Sequence, residues 1–167
     1  MPMHLKLIIA GLGGQGVVLL TRLMAHAALS LGHEVMVSET HGMSQRGGSV
    51  SSHVKIGGSD APLIRRGAAD ALLALEAEEA VRNLPYLRPG GVLFVNSENG
   101  LREELKPHIE RLQIKVWSLP ASKMALELGT PAVTNVLMAG FAAAHPVIAL
   151  PLETLRETIV SLASRGR

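Results

Sequence analysis

The sequence contains no cysteine. That excludes a disulfide, a thiolate zinc site, a cysteine nucleophile and a cysteine-ligated iron–sulfur cluster within these 167 residues. Aromatic residues are nearly absent too: two Phe, one Tyr and one Trp. The core must therefore be built from Ala, Val, Leu, Ile and Met, with Met24, Met36, Met124 and Met138 as adaptable filler. Neither sign of charge dominates. Sixteen Lys and Arg against fourteen Asp and Glu leave a formal charge of +2. With no Lys/Arg run and no aromatics set among basic residues, nucleic acid is not an indicated partner. Long apolar runs are missing. The longest, around VLMAGFAAAHPVIAL, is broken by His145 and Pro146 and is too short to cross a bilayer. The opening MPMHLKLIIAG has too short an apolar stretch to be a signal peptide. The expectation is a cytoplasmic chain with no membrane partner. Repeats, low-complexity segments and linkers are also missing, so residues 1–167 are expected to form one domain.

What is present is an alternation of strand and helix patterns. LKLIIAG (5–11) is a buried-strand pattern ending in glycine. GVVLLTRLMAHAALSLG (16–32) has helical spacing and is stopped by Gly32. EVMVSE (34–39) is a second strand. SVSSHVKIG (49–57) alternates, placing Val50, Ser52, Val54 and Ile56 on one side and His53 on a wet one. Strands follow at 70–76, 90–97 and 114–120. Helices follow at 76–87, 101–112, 121–129, 132–145 and 152–164, with a kink or restart at Pro107. The spacing predicts an α/β fold: a single-domain, mainly parallel Rossmann-like sheet with helices on both faces. Nothing helical separates the strands at 34–39 and 49–57, so an antiparallel hairpin around residues 34–57, or a change of strand order there, is predicted.

GLGGQG (11–16) fits G-x-G-x-x-G through Gly11, Gly13 and Gly16, between a strand and a helix. Such a turn offers N–H groups and a helix N-terminus to an anion. Gly11, Gly13, Gly14, Gln15 and Gly16 are therefore candidate contacts to an anionic ligand or a partner. Glu39 ends the second strand, where a ribose-binding acid would stand in a dinucleotide fold. A stand-alone NAD(P)-binding domain is thus one reading. Against it, the chain after Glu39 runs through THGMSQRGG into a strand rather than a crossover helix, and no second domain follows. Close strand–helix packing alone would also account for the glycines.

The second singular stretch is SETHGMSQRGGSVSSHV (38–54), too polar for core and too glycine-rich for a regular element. Together with GLGGQGVVLLTRLMAHAAL, the wording SETHGMSQRGGSVSSHVKIG resembles the small gamma-type subunit of 2-oxoacid:ferredoxin oxidoreductases. HGMSQRGGSV is most similar to the branch formed by the beta subunit of indolepyruvate:ferredoxin oxidoreductase. PLIRRGAADALLALEAEEAVRNLPYLRPGGVLFVN and ELGTPAVTNVLMAG agree, so the resemblance spans nearly the whole chain. The resemblance implies a subunit of a complex that oxidatively decarboxylates a 2-oxoacid with coenzyme A, giving an acyl-CoA, carbon dioxide and reduced ferredoxin. It implies that thiamine diphosphate, its Mg²⁺ and the iron–sulfur clusters lie in a larger partner subunit, and that this chain alone is inactive. That division agrees with the missing cysteines. It also implies a short further tail beyond SLASRGR that this sequence lacks.

In that setting Arg46 offers a fork of donors to a carboxylate or phosphate. Gly47 and Gly48 can form a small anion nest. Ser44 and Gln45 can hydrogen-bond ligand or partner, and His41 can move a proton near neutral pH. His41 and Arg46 are thus the catalytic candidates, and Ser44, Gln45, Gly47 and Gly48 the binding candidates. For each, a structural role at a subunit interface stands as the alternative. No metal site is expected; a pair formed by His41 and His53 has no further ligand nearby in sequence. Met43 reads as an interface plug. Asn135 either caps its helix or reaches the glycine turn. The helix TNVLMAGFAAAH is apolar all round, as expected of a central helix or of one facing another subunit, which also admits self-association of the isolated chain.

Overall fold

The structure, a computed structural model, describes residues 3–41 and 47–166. Six strands form one sheet in the order β2-β3-β1-β4-β5-β6. They are β1 (Leu5–Leu12), β2 (Val35–His41), β3 (Ser49–Ile56), β4 (Ala69–Ala74), β5 (Leu87–Asn96) and β6 (Lys115–Leu119). β1 pairs parallel with β4, β4 with β5, and β5 with β6. β3 alone runs the other way, antiparallel to both β1 and β2. The mainly parallel Rossmann-like sheet and the hairpin around 34–57 are both present.

β1 shows why the sheet is covered on both sides. Leu5, Leu7 and Ile9 belong to one buried cluster, and Ile8 and Ala10 to another. A strand apolar on both faces needs helices on both faces. The first cluster lies under α1 (Val17–Ser30), α5 (Thr134–Ala143) and α6 (Leu152–Arg165). The second lies under α2 (Ala77–Asn83), α3 (Lys106–Arg111) and the loop carrying Ile64. α4 (Ala121–Glu127) joins the first side through Ala121. Prolines set several boundaries by lacking an N–H and fixing φ. Pro85 sits in the short 3₁₀ turn Leu84–Tyr86 that ends α2 early, so the helical pattern at 76–87 yields only seven α-helical residues. Pro107 sits in the first turn of α3, which restarts after the 3₁₀ turn Glu103–Leu105.

Two features are not set by the local sequence pattern. β3, not β2, lies beside β1, because the hairpin folds back between them. And His53 does not sit on a wet side. The chain after β3 crosses that face, burying His53 to 4% exposure. Its Nδ1 accepts the Ile64 N–H at 2.9 Å, and its ring meets Tyr86 edge-on. Burial, with the charge of Lys55 adding, holds its pKa below the ordinary value.

Candidate functional site

From β1 the chain leaves toward β2 and β3; from β4 it leaves toward β5 and β6. Where strand order reverses in this way, the crevice at the carboxyl ends of the two strands is the usual ligand position in open α/β sheets. Here the crevice is about 430 Å³. Its walls are Gly14, Gln15 and Gly16 of the turn after β1, Leu75 after β4, Asn96 at the end of β5, Ser122 of α4, and Thr134 and Asn135 at the head of α5.

Hydrogen bonds fix this rim. Gln15 Oε1 accepts the Leu12 N–H at 2.7 Å, and Gln15 Nε2 donates to Glu76 Oε2 at 3.2 Å, bridging the mouth of the crevice. Asn96 Nδ2 donates to Leu75 O and to Ser122 Oγ, while its Oδ1 accepts the Ser122 N–H. Asn135 is 6% exposed, and its Oδ1 accepts the Val136 N–H at 2.9 Å. Its side chain reaches the glycine turn: Nδ2 lies 2.7 Å from where a Cβ on Gly16 would stand. Both roles expected for Asn135 are present in part: its Oδ1 takes up a first-turn N–H of α5, and its amide nitrogen stands against Gly16.

Most glycines of the turn have internal causes. A Cβ on Gly11 would meet Val17 Cγ2 at 2.9 Å and Leu75 Cβ at 3.2 Å. Gly13 is crossed by the hairpin, donating its N–H to Gly48 O at 2.8 Å with Gly47 N close by. Gly16 has φ +91° and faces Asn135. Only Gly14, at φ +88°, has open space around it. The Leu12, Gly13 and Gln15 amides are thus already bonded within the chain. Among the described residues, those of Gly14 and Gly16 have no internal acceptor, and the first turn of α1 adds its own free N–H groups. The site can hold an anionic or carbonyl oxygen at that helix head, with neutral amide side chains around it.

The structure brings Gly11, Gly13, Gly14, Gln15, Gly16, Gly47 and Gly48 together. Ser44, Gln45 and Arg46 lie outside the described residues, as does the side chain of His41. The His41 backbone closes β2 opposite Val50, which in turn pairs with Gly11. Across two strand spacings, that places it about 10 Å from the turn. Glu39 stands one strand removed from β1 for the same reason. At the base of the hairpin, Ser49 Oγ donates to the buried Glu79 Oε1 at 2.8 Å, and Arg82 Nε lies 3.4 Å from the same oxygen. Among the described residues Glu79 Oε2 has no hydrogen-bond partner.

Sequence reasoning missed Glu76, Asn96 and Ser122. The first two each follow or end a parallel strand, which is the signal that marks them. It also missed Arg22. On the other side of the turn, a second concavity of about 510 Å³ is lined by Leu12, Gly14, Val18, Leu19, Val50 and Arg22. Arg22 lies six residues beyond Gly16. Among the described residues no group of three His, Asp or Glu side chains stands together to hold a metal. No helix of the described residues is long and apolar enough to cross a membrane. With no cysteine in the sequence, the chain offers no thiolate set for an iron–sulfur cluster.

Residues 6–165 match the pyruvate ferredoxin/flavodoxin oxidoreductase family. The chain belongs to that family. Among its relatives, the indolepyruvate oxidoreductase subunit IorB of Archaeoglobus fulgidus is 32% identical, over 94% of this chain and 85% of that protein. The IorB of Pyrococcus horikoshii is 36% identical, over 92% and 84%. The gamma subunit of a keto/oxoacid ferredoxin oxidoreductase from Geobacter sulfurreducens has the same fold, with a TM-score of 0.74 and 27% identity over 94% of this chain and 85% of that one. The ketoisovalerate oxidoreductase subunit VorA of Methanothermobacter thermautotrophicus is 28% identical over 93% of this chain, yet the match takes up only 31% of VorA. Sequences similar to this one thus occur both as a separate small chain and as a portion of a longer one.

Proposed function

We propose that this chain is the small subunit of a 2-oxoacid:ferredoxin oxidoreductase acting on aryl pyruvates such as indolepyruvate, and that it is inactive alone. Its partner is a larger cytoplasmic subunit carrying thiamine diphosphate, Mg²⁺ and iron–sulfur clusters. The observation that carries this reading is the 32–36% identity to IorB chains over more than nine tenths of the sequence. The missing cysteines support the division of labour, because electrons leaving the substrate need clusters this chain cannot ligate. When bound to the partner, thiamine diphosphate supplies the carbanion stabilisation that decarboxylation needs.

This chain's own part is binding and orientation. The free amides at Gly14, Gly16 and the head of α1 receive an oxyanion of the oxoacid or of coenzyme A. Gln15, held by Leu12 and Glu76, and Asn96, held by Leu75 and Ser122, fix the rim against which it sits. Arg46 and His41 contribute to recognition of the partner's substrate. A stand-alone dinucleotide domain is the weaker reading, because β3 separates Glu39 from the glycine turn.

The test is anaerobic co-purification of a tagged copy from its source, followed by thiamine analysis and coenzyme A-dependent dye reduction. Indolepyruvate is expected to be oxidised faster than pyruvate or 2-oxoglutarate. Robust activity from the isolated chain, or preference for 2-oxoglutarate, would refute the reading. In the assembled enzyme Arg46→Ala is expected to raise KM for the oxoacid or coenzyme A; weaker assembly with unchanged KM would make it an interface residue instead.

A further inference from the structure

Three of the four aromatic residues of this chain gather away from the glycine turn. Phe94, Phe141 and Trp117 line an open cleft of about 420 Å³ with Ala144, His145 and Pro146. His145 stands edge-on to both Phe94 and Trp117, and Phe94 edge-on to Phe141. The cleft exists because α5 and α6 cover the middle of the sheet but stop short of its edge strand. Phe94 on β5 is fully buried, whereas Trp117 on β6 remains 49% exposed. The outer side of α5 continues this surface through the half-buried Leu137, Gly140 and Phe141 to the exposed Ala144. Beyond the head of α5, Leu126 and Leu128 protrude, 66% and 65% exposed. From Leu128 to Leu152 there is no Asp, Glu, Lys or Arg. Aromatic enrichment with depletion of charge is what marks the core of a protein–protein interface.

We infer that the α5–β6 face is where the larger thiamine- and iron–sulfur-bearing subunit docks, with an apolar side chain of that subunit filling the aromatic cleft. This rests on the subunit role proposed above. Two observations select the occupant. α5 supplies Thr134 and Asn135 to the crevice at one end and Phe141 to the cleft at the other. Its ten residues span about 15 Å. A subunit that brings its reaction centre to the crevice therefore reaches the cleft within one helix length. And in VorA the homologous segment is built into a chain roughly three times as long. What a covalent link holds there, a face must hold here.

The experiment uses the tagged full chain, purified anaerobically with its associated subunit, which is identified by sequence and assayed for thiamine and iron. Gly140→Glu puts a charge mid-face where nothing lies within 4 Å of the new Cβ, and replaces a helical glycine with a better helix former. Ala144→Glu does the same at the cleft wall. Val160→Glu, on the 65%-exposed side of α6, is the control. Wild type and Val160→Glu are expected to retain thiamine and iron. Gly140→Glu and Ala144→Glu are expected to lose at least tenfold of both per chain, with melting temperatures unchanged or higher. Full retention by both face variants would overturn the inference while leaving the subunit role standing. Wild type that recovers no thiamine-bearing subunit would overturn both. Concentration-dependent self-association of the pure chain, abolished by Gly140→Glu and accompanied by intact capture of the larger subunit, would assign the face to a second copy and overturn the inference alone.

Discussion

Gly14 and Gly16 share almost the same backbone, φ +88° and +91°, yet alanine should affect them differently. At Gly14 a methyl group meets open space, so Gly14→Ala carries only the left-handed backbone penalty of about 1–2 kcal/mol. At Gly16 the same methyl would lie 2.7 Å from Asn135 Nδ2 and 3.5 Å from its Cγ. Ordinary contact is nearer ~3.5 Å, so Asn135 must move by several tenths of an ångström. Asn135 is 6% exposed and holds the Val136 N–H, so moving it forfeits about 1–2 kcal/mol of buried hydrogen bonding. Gly16→Ala should therefore cost about 2–4 kcal/mol, and Gly14→Ala about half of that. For a chain of this length, that is a difference of roughly 3–8 °C in Tm.

A double-mutant cycle isolates the cause. Asn135→Ala alone loses the Val136 contact, but in its background Gly16→Ala no longer has a side chain to displace. The two changes together should be milder than their sum by about 1–2 kcal/mol. Urea unfolding followed by circular dichroism on the four proteins measures this. Equal costs at Gly14 and Gly16, or effects that add to within ~0.5 kcal/mol, would show that Asn135 does not dictate glycine at position 16.

Other residues make separate predictions. His53 has a pKa below the ordinary 6.5, first through burial and then through Lys55. The unfolded chain then binds more protons than the folded one between that lowered value and about 6.5. Stability is complete above about pH 6.5 and falls as pH drops through this window; the fall should flatten in His53→Gln, read from urea midpoints. Ser52 Oγ is fully buried without a partner among the described residues, so Ser52→Ala should leave stability unchanged or raise it by about 1 kcal/mol, measured the same way. Asp70 accepts from the Lys6 N–H and from Arg88 Nε at the edge of the sheet opposite the crevice. Asp70→Ala should lower stability by about 1–2 kcal/mol, with KM and kcat of the assembled enzyme unchanged. Gln15→Ala removes the bridge to Glu76 and should raise KM more than it lowers kcat.

The sequence reading succeeded where the signal was local. The apolar run before Gly11, the glycine turn and the two strands around 34–57 each carry their pattern within a few residues, and each is present. The placing of β3 between β1 and β2 carried no such signal. Val35, Val37, Val54 and Ile56 are apolar partners that would suit either neighbour, and only the pairing across the finished sheet decides. His53 was misplaced for a related reason: an alternating strand does not disclose that the following loop will fold over its polar side. The crevice was legible only in part. Gln15 and Glu76 are 61 positions apart, and Gly16 and Asn135 further still. Such contacts belong to the sheet order, not to any stretch of sequence.

That sheet order also sets this glycine turn apart from that of a dinucleotide fold. In a dinucleotide fold the acid closing the second strand stands beside the glycine turn. Here β3 intervenes, and the hairpin it belongs to lays Gly48 O on the Gly13 amide at 2.8 Å. Gly11 and Gly16 are each required by a neighbour within the chain, Val17 with Leu75 and Asn135, while at Gly13 the hairpin backbone lies at ordinary contact distance. Gly14 alone faces outward with nothing near it. If the turn works on a ligand, Gly14 is where the ligand approaches. Gly14→Ala should then cost the fold only the backbone penalty given above, while its methyl group stands in the ligand's approach and raises KM for the oxoacid or coenzyme A in the assembled enzyme by about tenfold, an effect the size of one hydrogen bond to a charged group. A variant that assembles fully with unchanged KM for both would mean that the turn is only a packing device, and that the substrate meets the chain elsewhere.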